Sequence, residues 1–415
     1  MSLKIRKSSV STILIVLLVF QGILSSRLFS AIGYIDELIT AIGIIVLFAV
    51  YRKKDYKEMR NTIVLFIFLL ALGIASTLLS DIKVNTVSRI LDAFSFSKFI
   101  VIFWLGIVLG EHGYSRISAW KSLSSFIRFF ILIAFLFCII NIFFDIGMHT
   151  DYRYGLRCFE FIYDRVGGLY SSCVIFLAIQ TIDIYYNGSS QVKRLFLIIT
   201  AFVMCSTLRS RAFAFTAMYF AGYLLFVLNK KYRFKLWHII IILLVGGIIA
   251  YPQIRFYLID NETQARARLF KYGFETARAY FPLGSGFSTY GSFQAKQVSS
   301  PLYTRYGFNR FYGLGLVKST YLTDDFWPAV VAEFGFFGVF FIVLILIQLT
   351  KYITKKIKTQ KVIFFAVVFL WVSVFASSIA TASYINATAE MLIIGVVIGE
   401  FTRETLQSTQ PFTYI

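Results

Sequence analysis

Residues 326–349 read Phe-Trp-Pro-Ala-Val-Val-Ala-Glu-Phe-Gly-Phe-Phe-Gly-Val-Phe-Phe-Ile-Val-Leu-Ile-Leu-Ile-Gln-Leu, directly after Thr323-Asp324-Asp325. A helix needs about 20 mostly apolar residues to cross the hydrocarbon core of a bilayer. This run supplies them, with Glu333 as its one charge. Its apolar residues are continuous rather than alternating at period two, so it reads as a helix and not as a barrel strand. Similar runs recur along the chain. Inside lipid only helices or closed barrels satisfy their own backbone, so the pattern predicts an all-α, polytopic membrane protein.

Composition agrees. The chain has 415 residues, of which 58% are hydrophobic and only 15% charged, with a mean hydropathy of +0.75. A soluble domain of this length carries more charge. The formal net charge of +20 would point to nucleic acid in a soluble protein. Here its first cause is topological, because short cytoplasmic loops accumulate Lys and Arg, and no nucleic-acid partner is expected. Cys138, Cys158, Cys173 and Cys205 lack metal-ligand spacing, and His112, His149 and His238 are scattered. Neither a metal nor a cofactor is expected.

The apolar runs predict about twelve spans in one integral membrane domain over residues 1–415. They are Val10–Ser26, Gly33–Tyr51, Asn61–Ser80, Lys98–Gly110, Ser124–Ile146, Gly168–Tyr186, Leu195–Leu208, Ala212–Leu228, Leu236–Ala250, Phe326–Leu349, Val362–Ala380 and Ala389–Phe401. The basic segments Lys4–Lys7, Arg52–Lys57, Lys193-Arg194, Lys230–Arg233 and Lys351–Lys361 then all fall on one side. By the positive-inside rule that side, with both termini, is cytoplasmic. Asp81–Ser97 is read as external. So is His149–Gly167, which carries Arg153, Arg157 and Arg165.

Between the ninth and tenth spans lies a long outer loop, residues 252–323, and its arginines break the charge rule. Arg255, Arg266, Arg268, Arg278, Arg305 and Arg310 fall there, with Lys271, Lys296 and Lys318, while Arg209 and Arg211 sit at an outer helix end. Long loops translocate regardless of charge, and a lipid-headgroup surface would account for them. Arginine in preference to lysine instead favours bidentate binding of phosphate or carboxylate. Residues two apart on a helix diverge by about 200°. Only one of Arg209 and Arg211, and one of Arg266 and Arg268, should therefore face a given cavity, the other snorkelling to the interface.

An amphipathic helix is predicted over about 261–281, with Asn261 or Thr263 as N-cap, Pro282 as its stop, and an apolar stripe from Ala265 to Ala277. Its bland reading is an interfacial helix with snorkelling arginines. The turn Pro282–Gly291 could present backbone amides as an anion nest, or be a turn and no more. The aromatic stretch Tyr303–Tyr321 suits a glycan platform and equally a lipid-interface belt. Asp324 and Asp325 open the tenth span, where a carboxylate serves either as helix cap or as a general base at a dehydrated boundary. Asp36 and Glu37 form a second carboxylate pair that could meet the excess arginines.

Three pieces together resemble the bacterial O-antigen polymerase and O-antigen ligase superfamily, most closely its Wzy-type polymerases of capsular and exopolysaccharide loci. They are Arg209-Ser210-Arg211-Ala212 opening a span, then Ala265-Arg266 with Tyr280–Phe287, and then Asp324-Asp325-Phe326-Trp327-Pro328 with Ala332-Glu333-Phe334-Gly335. The ligases place a His nine positions ahead of that Glu, where this chain has Asp324. The resemblance implies a GT-C-like, metal-independent membrane glycosyltransferase. It would polymerise undecaprenyl-pyrophosphate-linked repeat units at the outer face of the cytoplasmic membrane. Arg211 and Arg266 would hold the pyrophosphate and Asp324 would deprotonate the acceptor hydroxyl. Arg209, Arg268, Arg278, Arg305, Arg310 and Asp325 would be further substrate contacts. A chain-length regulator protein is the partner class such a role admits, besides the lipid bilayer itself. The competing readings are a polysaccharide or lipid-carrier flippase or transporter, and an O-antigen-type ligase.

Overall fold

The computed structural model describes residues 9–50, 56–114, 117–228, 264–315, 320–379 and 381–409, together with Arg255. The expected ninth span, 236–250, lies outside these residues, as do the proposed caps Asn261 and Thr263. The fold is helical: α1 (Val10–Arg27), α2 (Ile35–Val50), α3 (Lys57–Leu79), α4 (Thr86–Glu111), α5 (Ile117–Phe143), α6 (Val166–Asn187), α7 (Gln191–Cys205) and α8 (Ser210–Gly222) run in sequence. After these come α9 (Ala265–Ala279), the short α10 (Phe293–Gln297) and α11 (Pro301–Arg305), then α12 (Phe326–Ile357), α13 (Lys361–Ser377), α14 (Ser383–Asn386) and α15 (Thr388–Thr409). A two-residue hairpin, β1 (Tyr152–Arg153) with β2 (Leu156–Arg157), is the one sheet among the described residues.

Eight helical segments among the described residues are long and apolar enough to cross a membrane. They are α1, Ser30–Val50, α3, α4, α5, α6, Ser210–Leu228 and α12, and each overlaps one of the twelve expected runs. Their outward surface carries the signature of a lipid solvent. Leu38, Ile42, Ile45 and Phe48 of α2 are exposed, as are Phe129, Leu132, Leu136, Ile140 and Phe143 of α5. Both sets recur at three-to-four spacing, which puts an apolar stripe on the outside, where a water-soluble protein would not tolerate so large a patch.

At the centre α4 packs on α15 through two glycine pairs, Gly106 with Gly110 and Gly395 with Gly399. A Cβ at Gly106 would lie 2.7 Å from the Leu392 carbonyl. One at Gly399 would collide with the Ile107 carbonyl. Small residues four apart let two helix backbones meet where lipid gives no hydrophobic drive to association.

Two expectations change. Residues 86–97, read as external, are the first half of α4. They looked unlike a span because Ser88, Arg89, Asp92, Ser95 and Ser97 interrupt the apolar run. Asp92 and Lys98 are nevertheless buried, since each finds its partner inside the protein. The amphipathic helix begins at Ala265 with Gln264 at the N-cap and ends at Ala279, three residues short of Pro282.

The other departure is a break in α12. Gly335 adopts φ 64°, ψ −166°, a conformation that glycine alone takes readily. The break frees the Ala332 and Glu333 carbonyls from the helical ladder. The turn after Pro282 fills the gap: the amide of Ser285 donates to Ala332 O at 2.8 Å and that of Gly286 to Glu333 O at 2.9 Å. Non-helical backbone at such a place survives only when it is enclosed in protein. The stretch between α8 and α12 contributes to a second, smaller core, in which Leu269, Tyr290, Tyr303, Phe308, Leu314 and Leu322 are buried together with Ile82 and Ala332.

Candidate functional site

One cavity of about 1570 Å³ collects residues from the end of α1, the start of α2, the first half of α4, the loops before α6 and α8, and the starts of α9 and α12. All lie at the same end of the bundle, where α1 with α2, α5 with α6 and α7 with α8 each turn back.

The two arginine pairs behave differently. Arg266 lines the cavity, whereas Arg268 turns away and stacks its guanidinium 3.3 Å above the centroid of the Phe311 ring. That divergence is the one the helical geometry demands. Arg209 and Arg211 both line the cavity, against expectation. Arg209 is not helical: it is the N-cap of α8, with φ −82° and ψ 131°, so the 200° rule does not govern it. Arg211, in the first turn, sits 5.7 Å from the centre of the Tyr170 ring, and its buried Nη1 has no hydrogen-bond partner among the described residues. Arg209 reaches Asp151 at 3.3 Å. Burial, followed by the positive charge of Arg153, pushes the Arg209 guanidinium below its usual value.

Arg153 and Arg165 line the same cavity. The sequence placed them in an external loop without giving them a role. The only signal available was their count in a loop that should be poor in arginine. The hairpin and the N-cap of α6 carry them there. Arg278, Arg305 and Arg310 do not join. All three are exposed, and Arg305 instead bonds the Tyr280 hydroxyl at 3.0 Å and approaches Asp81 at 3.6 Å.

Asp324 and Asp325 enter from the N-terminus of α12. Arg266 bridges them, with Nη2 3.5 Å from Asp324 and Nε 3.7 Å from Asp325. The Asp325 side chain makes no capping hydrogen bond. Of the two amides that an N-cap carboxylate can use, at the second and third helical positions, the third is lost because Pro328 has no N–H. Burial raises Asp324 above the usual carboxylate range, against the opposing pull of Arg266 and then Arg211. Burial raises Asp325 further, to about 7, Arg266 offsetting part of this and the Asp324 charge adding to it.

Asp36 and Glu37 also border the cavity, but they meet a lysine rather than the arginines. Lys98 of α4 binds Asp36 at 2.7 Å and also pairs with Glu37, and Gln21 donates to Asp36 at 2.7 Å. The cavity is therefore mixed in sign: Lys98, Arg153, Arg165, Arg209, Arg211 and Arg266 share it with Asp36, Glu37, Asp151, Glu160, Asp324, Asp325 and Glu390.

The Gly-rich turn does form a nest of amides, and the protein fills it itself. Thr289 and Tyr290 each donate to Glu333 Oε1 at 3.0 Å, and the Ser292 hydroxyl joins them at 3.1 Å. The Ser288 amide takes Asp92 at 2.7 Å, that of Phe287 the Thr77 hydroxyl and that of Gly291 the Tyr303 hydroxyl. No amide from Ser285 to Gly291 is left for a substrate anion. The aromatic stretch is likewise mostly structural. Tyr303 stacks on Phe308 at 5.4 Å and Tyr306 on Tyr272 at 4.5 Å, inside the loop's core. Of these rings only Tyr321 borders the cavity. Among the described residues no group of His, Cys, Asp and Glu is placed to hold a metal.

Compared with known proteins, the chain matches no family model, no curated protein and no solved structure.

Proposed function

We propose that this protein is a GT-C-like, twelve-span membrane glycosyltransferase. It would polymerise undecaprenyl-pyrophosphate-linked oligosaccharide repeat units at the outer face of a bacterial cytoplasmic membrane, with both termini in the cytoplasm. The observation that carries the reading is the meeting of Arg211, Arg266 and the Asp324–Asp325 pair in one cavity at a single end of the bundle. Transfer of a glycan from a pyrophosphate carrier needs cationic groups for the leaving phosphates and a base for the attacking hydroxyl. Three stretches far apart in sequence supply these at one place. Arg153, Arg165 and Arg209 add cations to the same cavity, and a cavity of this volume has room for sugar rings beside a pyrophosphate.

The test is incubation of the purified protein with carrier-linked repeat units. Lengthened glycan on the carrier supports the reading, and its absence from well-folded protein sinks it.

Two observations favour a second reading, a transporter or flippase of lipid-linked glycans: the break in α12 at Gly335 and the Lys98–Asp36–Glu37 cluster within helices long enough to be spans. Broken helices and charges paired within membrane helices are features of transporters. The break here is closed by the protein's own turn, which leaves no free half-helix end to bind a solute. Reconstituted vesicles separate the two readings, since a flippase moves the lipid-linked glycan across the bilayer without lengthening it.

A further inference from the structure

Within the glycosyltransferase reading, on which this inference rests, we propose that Asp325, and not Asp324, is the catalytic base, and that Arg266 covers it until a phosphate draws the guanidinium away.

The two carboxylates are neighbours in sequence but not in environment. The Asp324 side chain is 29% exposed, and Arg266 meets it end-on through Nη2. The Asp325 side chain is 0% exposed, and neither of its oxygens has a hydrogen-bond partner among the described residues. Hydrogen bonds to a carboxylate weaken it as a base. Among the described residues none does so, and Pro328 removes one of the two amides that an N-cap aspartate can use. The residue borders the cavity although its carboxylate has no exposed surface. Arg266, which lines the same cavity, lies against both carboxylates. A pyrophosphate competes for the same guanidinium with two charges and a geometry that arginine binds through two parallel bonds. Its arrival would both open the way to Asp325 and remove the nearest positive charge, strengthening the base as substrate binds.

In the step itself an acceptor hydroxyl oxygen attacks the anomeric carbon of the donor glycan. The bond from that carbon to the phosphate oxygen breaks, its electron pair leaving with the pyrophosphate carrier. The hydroxyl proton passes to the Asp325 carboxylate and later to water.

Two measurements on the full-length protein test this. In the polymerisation assay, Asp325→Asn should lower kcat by roughly a hundredfold or more with little change in KM. Asp325→Glu should restore part of the rate, and Asp324→Asn should lose less than tenfold. Asp325→Asn above a tenth of the wild-type rate, or Asp324→Asn as inactive as Asp325→Asn, overturns the assignment. If the wild type lengthens nothing, the polymerase reading fails and takes this inference with it. The second measurement needs no turnover: dicyclohexylcarbodiimide labels protonated carboxyls in apolar surroundings. At pH 6.5 label should appear on Asp325 and increase severalfold on adding inorganic pyrophosphate to the wild type, but not to Arg266→Ala. No label on Asp325, or label indifferent to pyrophosphate, overturns the covered-base arrangement.

Discussion

Arg266 Nη2 lies 3.5 Å from Asp324 Oδ2, although 58 positions separate the two residues in the chain. The contact joins the first turn of an amphipathic helix to the mouth of a long span, and the proposed chemistry is organised around it.

Arg266→Ala and Arg211→Ala should each reduce chain extension by about a hundredfold or more, the scale of losing one preorganised contact to a developing anion. Membrane insertion and expression should persist. Arg266→Lys should recover little, because lysine cannot reproduce the two-nitrogen bridge. A full rate for Arg266→Lys in the polymerisation assay would show that the bridge does not matter.

Arg278→Ala and Arg310→Ala should stay within about threefold of wild type in the same assay, because exposed side chains away from the site are usually close to neutral. Both are exposed and lie off the cavity. A large loss at either would mean that the substrate runs over the outer loop rather than into the cavity.

Glu333→Ala should destabilise severely, by roughly 3 kcal/mol or more, since it strands two buried amides and the Ser292 hydroxyl. Gly335→Ala should be equally harmful. Its Cβ would meet the Pro282 carbonyl at 2.7 Å while φ stays at +64°. Size-exclusion profiles and melting temperatures in detergent check both. Normal melting with lost activity would move Glu333 from the scaffold into the chemistry.

Asp325 should make stability depend on pH. In the folded chain it titrates at about 7, well above the ordinary 3.8, so between those values the native state holds a proton that the unfolded chain has released. Its contribution to stability is present at low pH and declines as pH rises towards about 7. Wild type should therefore lose more melting temperature between pH 6 and pH 8 than Asp325→Asn does, by a few degrees. Parallel melting curves for the two proteins would contradict the raised titration of this buried carboxylate.

The sequence by itself determined the membrane class, because apolar run length is dictated by bilayer thickness and needs no tertiary information. It also determined which stretches would share a face, since each span reverses the chain. The opposite directions of Arg266 and Arg268 followed from helix pitch alone. The glycine pairs of α4 and α15 were visible as letters, but which helix each would meet was not.

Tertiary structure decided what the charges do. Whether amides at Ser285–Gly291 bind a substrate or the protein's own Glu333 depends on a carboxylate more than forty residues away, delivered by a broken helix. Whether Asp36 and Glu37 meet arginine or Lys98 depends on the rotation of α2 against α4. Asp324 and Asp325 differ in accessibility although they are adjacent in the chain and both meet Arg266. Local sequence fixes the direction of a side chain relative to its own helix; its partner is fixed by how helices distant in sequence pack, because burial and charge pairing are energies of the assembled bundle.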